Sequence, residues 1–148
     1  MDVNIHIFDT MLQRLLDMGF REVGKWDLTA DGVTYTLKAE ENSKNVLYAF
    51  VSEGEILYIG KTTQTLKGRM YGYQKPASTQ STNEKNNTKL KEILGAGNAV
   101  SILALPDHDL LYYGGFHLNL AAGLEDDLIK EVKPKWNGNN TSQKEIKR

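Results

Sequence analysis

The chain has 148 residues, 40% of them hydrophobic, with a net charge of −1 and no cysteine. That length suits one domain with its own core, excludes disulfides and thiolate metal sites, and the charge argues against a uniformly basic nucleic-acid binder. The apolar runs fall far short of the ~20 residues of a spanning helix, and the opening Met1-Asp2-Val3-Asn4 is not the basic start of a secretory signal, so a cytoplasmic setting is expected.

The charge is unevenly spread. Residues 1–43 carry −4, residues 44–91 carry +5 and residues 92–148 carry −2. A positive middle segment is what a phosphate backbone would meet, although such blocks also occur as solvated faces.

In chain order, residues 7–18 read as an amphipathic helix. Phe8, Met11, Leu12, Leu15 and Leu16 recur at helical spacing, and Gly19 is the stop. Residues 20–27 and 33–38 predict a hairpin around Ala30-Asp31-Gly32. Residues 46–51 and 56–59 predict a second hairpin through Glu53-Gly54, with Tyr48 on one strand and Tyr58 on the other. Gly60 and Lys61 follow as the strand's end. Thr65 is a possible N-cap for a short helix through about Tyr71. Residues 72–87 are polar and read as a long loop, and residues 88–94 as a helix bearing Lys89 and Lys91. A strand over 98–105 ends at Pro106, residues 110–115 form a turn or short strand, and the last helix spans 118–132. The tail from 138 onward is expected to fray.

The run Leu47-Tyr48-Ala49-Phe50, then Leu57-Tyr58-Ile59-Gly60-Lys61, then Arg69 and Tyr73 on one helical face, then Glu125 twelve residues before Asn137, resembles the GIY-YIG nucleases. Tyr58-Ile59-Gly60 is intact, whereas Leu47-Tyr48-Ala49 keeps only the tyrosine of the first triplet, shifted within it. The resemblance covers roughly residues 45–140. It is strongest to the small stand-alone DNA endonucleases of T-even phage and restriction systems. It implies an α+β domain, with a small, mainly antiparallel sheet flanked by helices. On this reading residues 44–140 are the catalytic domain, residues 1–43 add a helix and β-hairpin extension that could extend the sheet, form an oligomer interface or lie against DNA, and residues 141–148 are a polar tail.

Phosphodiester hydrolysis needs a base for water, a cation for the phosphate and a way to stabilise developing oxygen charge. Glu125 shares a helical face with Ala121, Ala122, Leu128 and Ile129, so its carboxylate points toward the buried side, while Asp126 and Asp127 turn toward solvent. It binds a metal or pairs with a basic side chain; the resemblance implies the metal, Mg²⁺ or Mn²⁺, for which one carboxylate can suffice. Tyr58 is the candidate base, with Lys61 placed to favour its phenolate and Tyr48 able to share a hydrogen bond with it. By the resemblance, Tyr48 and Tyr58 face the scissile phosphate and Gly60 allows close approach. Arg69 would donate to phosphate oxygens. Tyr73 matches a position that the family fills with Tyr or His, and Asn137 would make structural or phosphate-side hydrogen bonds. Lys67, Lys75, Lys89 and Lys91 are candidate DNA contacts, Lys89 by likeness to a Thr-Lys pair of phage members, with the 72–87 loop either wrapping the nucleic acid or serving as a plain mobile loop. Trp136 reads as core. His6, His108 and His117 show no ligand spacing and receive no role.

The expectation is a metal-dependent DNA endonuclease, with double-strand cleavage as a homo-oligomer, dimer or tetramer, since one small site cuts one strand at a time. The alternative is a DNA-binding module that kept the scaffold and lost turnover.

Overall fold

The computed structural model describes residues 3–78 and 81–138, with side chains from residue 11 onward. The Phe8 side chain of the expected helix face and the tail at 141–148 therefore lie outside what is described.

The elements are α1 (Val3–Met18), β1 (Arg21–Thr29), β2 (Gly32–Leu37), β3 (Val46–Ser52), β4 (Glu55–Thr62), α2 (Leu66–Gln74), α3 (Ser81–Gly95), β5 (Val100–Pro106), β6 (Tyr112–Tyr113), β7 (Phe116–His117) and α4 (Leu120–Val132). Five strands form one antiparallel sheet in the order β2-β1-β5-β3-β4, and β6 and β7 form a separate small hairpin. The α+β class and the antiparallel sheet match the expectation. The N-terminal hairpin joins the sheet through β1 and β5 and extends it. Among the described residues no helix is long and apolar enough to cross a membrane.

β3, an inner strand between β5 and β4, is buried along its whole length because helices cover both faces. Val46, Tyr48 and Phe50 point into a core shared with Leu66, Met70 and Tyr73 of α2 and Leu90 of α3. Leu47, Ala49 and Val51 point the other way, toward Leu15 of α1 and Ala121 of α4. Strict alternation of side chains along a strand produces this split. Burying each such side chain is worth roughly 1.5–3 kcal/mol, so β3 anchors both layers. The β3–β4 connection is a two-residue turn in which Glu53 and Gly54 both have positive φ, +53° and +77°. That is the backbone twist a tight hairpin requires, and it is the turn expected there.

β4 differs from its simple sequence reading in one respect. Phe50 pairs with Tyr58, but Val51 pairs with Ile56, leaving Leu57 as an extra residue in a bulge. The bulge turns Leu57 and Tyr58 toward the α2 side while Ile56 and Ile59 face α4.

The expected loop over 72–87 is largely helical: α2 runs on to Gln74 and α3 begins at Ser81. Its many asparagines disfavour a helix by propensity. Asn83, Asn86 and Asn87 are nonetheless buried on the inner face of α3, where tertiary contacts use the Asn83 and Asn87 amides. β4 also continues through Lys61 to Thr62, past the expected end of the strand.

Candidate active site

β4 is the outer strand of the sheet, and its side chains alternate between the two faces. Tyr58 and Gly60 lie on the α2 side, cross-strand from Phe50 and Tyr48. Gly60 is required by packing: a Cβ there would meet Tyr48 Oη at 2.6 Å, Tyr48 Cζ at 2.7 Å and Tyr58 Cε2 at 2.9 Å. The space expected to admit a phosphate at Gly60 is thus taken by the Tyr48 phenol. The Tyr48 and Tyr58 rings are tilted at 39° with centroids 6.3 Å apart.

The expected Tyr48–Tyr58 hydrogen bond is replaced by another. Tyr48 Oη lies 2.6 Å from Tyr73 Oη on α2 and accepts from Arg69 Nε at 3.0 Å. A nearer, buried partner wins. Burial pushes both the Tyr48 and Tyr73 phenols above the ordinary tyrosine value; proximity to Tyr58 adds to the rise, and Arg69 offsets only part of it. Both remain neutral hydrogen-bonding groups at physiological pH.

α2 starts at the Thr65 N-cap, whose hydroxyl accepts from the Gly68 amide, as expected. One turn on, Arg69 is held at three points, by Tyr48, by Tyr73 (Nη2 to Oη, 2.8 Å) and by Asn83 of α3 (Nη1 to Oδ1, 2.9 Å). Its guanidinium also sits 4.3 Å over the Tyr73 ring. Burial opposes its charge, but the phenol oxygens of Tyr48 and Tyr73 favour it more, so its pKa is raised. One N–H remains on each terminal nitrogen for a ligand's oxygens. Asn87 Nδ2 donates to the Tyr73 carbonyl at 2.8 Å, fixing the end of α2. Asn83 and Asn87 were missed because the segment reads as a loop; Ser81-Thr82-Asn83-Glu84 does carry the Ser-x-x-Glu spacing of a helix start.

Lys61 does not stand beside Tyr58. The two are three residues apart on a strand that is regular there, so they project to opposite faces. Lys61 instead meets Glu125 of α4, Nζ to Oε1 at 3.6 Å. Glu125 has a side chain only 19% exposed, while Asp126 and Asp127 are exposed, as the helix periodicity predicts. Burial pushes the Glu125 carboxyl above its ordinary value; Lys61 pulls it down without cancelling that, and Asp126 adds to the rise. The carboxylate is therefore under-compensated, although its ion pair is the arrangement a purely structural glutamate would also show.

The segment after α4 turns at Lys133, in the left-handed region, and runs along the outside of β4. The Trp136 amide donates to the carbonyl of the bulged Leu57 at 2.9 Å. Asn137 then imitates a paired strand: its Oδ1 accepts from the Ile59 amide at 2.9 Å and its Nδ2 donates to the Ile59 carbonyl at 2.8 Å. Its observed contacts close the edge strand, which would otherwise leave backbone groups unpaired. Trp136 packs against the α2-side core, as expected.

Among the lysines, Lys67, Lys75 and Lys91 are exposed, and Lys89 Nζ lies 5.9 Å from the Trp136 ring centroid. His117, given no role from sequence, has two carboxylate partners: its Nε2 lies 3.0 Å from Asp107 Oδ2 and 3.1 Å from Asp109 Oδ1. These three could together hold a cation. Asp107 already accepts from the Asp109 and Leu120 amides, so the cluster also clasps the β6–β7 hairpin to the start of α4. Ten residues separate Asp107 from His117, and only the hairpin brings them together.

No protein-family model matches this chain, and no curated protein sequence matches it. Among solved structures, a mutant of bacteriophage T4 EndoII aligns at a TM-score of 0.64 with 24% identity, over 86% of this chain and 97% of that one. Restriction endonuclease HPY188I in complex with product DNA aligns at 0.47 with 18% identity, over 76% of this chain and 72% of that one, too low a score to establish a shared fold. This chain has the fold of the phage EndoII.

Proposed function

We propose that this chain is a metal-dependent DNA endonuclease of the GIY-YIG type. The observation that carries the reading is the Arg69 guanidinium, gripped by Tyr48, Tyr73 and Asn83 with an N–H left on each terminal nitrogen beside the outer strand that bears Tyr58. A preorganised fork of that kind suits a phosphate's oxygens, and a neutral core would have no use for a half-buried guanidinium. The fold shared with the phage EndoII supports the same reading.

In this mechanism Tyr58 accepts a proton from the attacking water as the water oxygen bonds to phosphorus and the P–O bond to the leaving sugar oxygen breaks, and Arg69 stabilises charge on the phosphate. Tyr48 and Tyr73 hold Arg69 in place and stay protonated. Glu125, a hard oxygen donor whose charge burial penalises, fits a divalent cation such as Mg²⁺ or Mn²⁺. Bound there, the ion would supply Lewis-acid stabilisation of oxygen charge. With the ion held by Glu125, Lys61 would be released from its ion pair and could turn its charge toward the phosphate. Lys67, Lys75, Lys89 and Lys91 supply sequence-independent attraction to the DNA backbone. Cutting both strands calls for two copies of this single site, or one site used twice.

A catalytically silent DNA-binding module is the second reading, favoured by the Lys61–Glu125 pair, which satisfies Glu125 without a metal. Supercoiled plasmid incubated with Mg²⁺ or with chelator, using wild type and Glu125→Ala, separates the two. Nicked or linear product that needs Mg²⁺ and disappears in the variant is expected. Plasmid that stays supercoiled with every divalent ion, while a gel shift survives chelation, establishes the binding module.

A further inference from the structure

Outside the β6–β7 hairpin, Tyr71 is the one exposed aromatic side chain among the described residues, 52% exposed on the outer face of α2. It adds nothing to the core, because α2 buries Leu66, Met70 and Tyr73 instead. Among the described residues its ring meets no other ring and its hydroxyl has no hydrogen-bond partner. Lys67 and Lys75 stand four residues to either side of it, and the Lys75 amide still donates to the Tyr71 carbonyl at 2.8 Å, so the three share one helical face. Each step of four rises about 6 Å along the axis.

That face is positive and unpartnered. Lys67 and Lys75 are exposed, and among the described residues no carboxylate pairs with either. No acidic residue occurs between Glu55 and Glu84, a stretch that holds Lys61, Lys67, Arg69 and Lys75. Glu41, whose carbonyl accepts from the Lys67 amide at 3.0 Å, bounds the face at the start of α2. Two unpaired ammonium groups with an aromatic ring between them fit a DNA strand, in which each nucleotide offers an anionic phosphate and an apolar sugar and base face.

The face is also continuous with Arg69. At about 100° per residue, Gly68 and Gly72 fall between Lys75 and Arg69 around the helix, so nothing but backbone stands there. Packing explains Gly72, where a Cβ would meet Asn83 Nδ2 at 3.2 Å and Arg69 Nη1 at 3.5 Å. At Gly68 only the Thr65 hydroxyl approaches, at 3.0 Å, and the backbone is not left-handed, although a glycine within a helix costs about 1 kcal/mol against alanine. A strand whose phosphate meets Arg69 has a clear path across α2 to Tyr71.

We infer that Tyr71 is a DNA-contacting residue whose ring packs on a nucleotide of the strand held by Arg69, between phosphates that Lys67 and Lys75 neutralise. The choice of DNA as occupant rests on the endonuclease reading together with this charge.

The test is fluorescence anisotropy of a short labelled DNA duplex in chelator, over a salt series, with the full chain. Tyr71→Ala should weaken binding about tenfold and leave the slope of log affinity against log salt unchanged, whereas Lys67→Ala or Lys75→Ala should lower that slope by about one. Tyr71→Phe keeps the ring and should bind within about threefold of wild type. Gly68→Gln completes a Thr-x-x-Gln capping box with Thr65, so it should melt no lower than wild type; standing on the path, its side chain should still weaken binding about tenfold. Leu28→Ser, at an exposed leucine on β1, should bind as wild type. Tyr71→Ala or Gly68→Gln binding as tightly as wild type, Tyr71→Phe as weak as Tyr71→Ala, or an equal loss in Leu28→Ser overturns the assignment, as does a wild type that never binds the duplex. A wild type that binds through Tyr71 but never cuts with Mg²⁺ refutes the endonuclease reading and leaves the contact standing. A wild type that cuts, beside a Tyr71→Ala that binds and cuts equally well, refutes the contact alone.

Discussion

Gly60→Ala tests whether the packing around β4 controls the candidate site. The added methyl would lie 2.6 Å from Tyr48 Oη, 2.7 Å from its Cζ and 2.9 Å from Tyr58 Cε2. Tyr48 is fully buried, with the Phe50, Tyr58 and Tyr73 ring centroids 5.7, 6.3 and 6.2 Å away, so it cannot swing clear. Its phenol has to retreat by about 0.8 Å to restore ordinary contact, an overpacking that costs roughly 1–3 kcal/mol. A retreat of that size carries the 3.0 Å Arg69–Tyr48 bond out of range and loosens the guanidinium. Urea unfolding should show the lowered midpoint with an unchanged slope, and plasmid nicking should fall about 100-fold. Adding Tyr48→Phe removes the nearest clashing atom and should return part of the stability but none of the activity. If Gly60→Ala unfolds within about 0.3 kcal/mol of wild type and cuts normally, the coupling of Gly60 to Arg69 through Tyr48 is refuted.

Asn137→Asp should cost at least about 2 kcal/mol, because a carboxylate cannot donate to the Ile59 carbonyl and is set against it; Asn137→Ala should cost less, since water reaches that half-buried position. Chemical denaturation of the two variants gives the order, and the reverse order would show that Asn137 does not act through its amide. Glu125→Gln should lower cleavage at least about 100-fold while leaving thermal stability at neutral pH no lower than wild type, because the charge that burial penalises is removed. Its folded pKa is raised, so without divalent cations the Glu125 carboxyl should titrate above the ordinary glutamate value near about 4.3, which carboxyl NMR checks. Asp107 behaves in the opposite sense: burial raises its pKa, but the Asp109 and Leu120 amides and His117 lower it further, for a net fall. Its stabilisation of the hairpin is complete above the unfolded carboxylate value of about 3.9 and is lost as pH falls through the lower folded value. The protection factor of the Leu118 amide should fall with that acid release in wild type, and Asp107→Asn should remove that step.

Both hairpins and the inward aim of Glu125 were legible in the sequence, because they follow from local rules: alternation on strands, a Gly-containing turn, 3.6-residue periodicity on α4; the fold class was what the resemblance implied. The resemblance also drew attention to Tyr48, Tyr58, Arg69, Tyr73 and Asn137, and Arg69 does meet Tyr48 and Tyr73. What the tertiary structure alone decided was the facing of those groups. The Leu57 bulge turns Tyr58 toward α2 and leaves Lys61 on the Glu125 side, a shift of one residue that no hydrophobic pattern encodes. The same holds for α3, whose asparagines oppose a helix locally and are recruited by Arg69 and Tyr73 across more than ten residues of chain. His117 meets Asp107 and Asp109 only after the hairpin closes. Local propensity sets which elements form; which side chains meet is a property of register and packing, and these depend on the whole sheet at once.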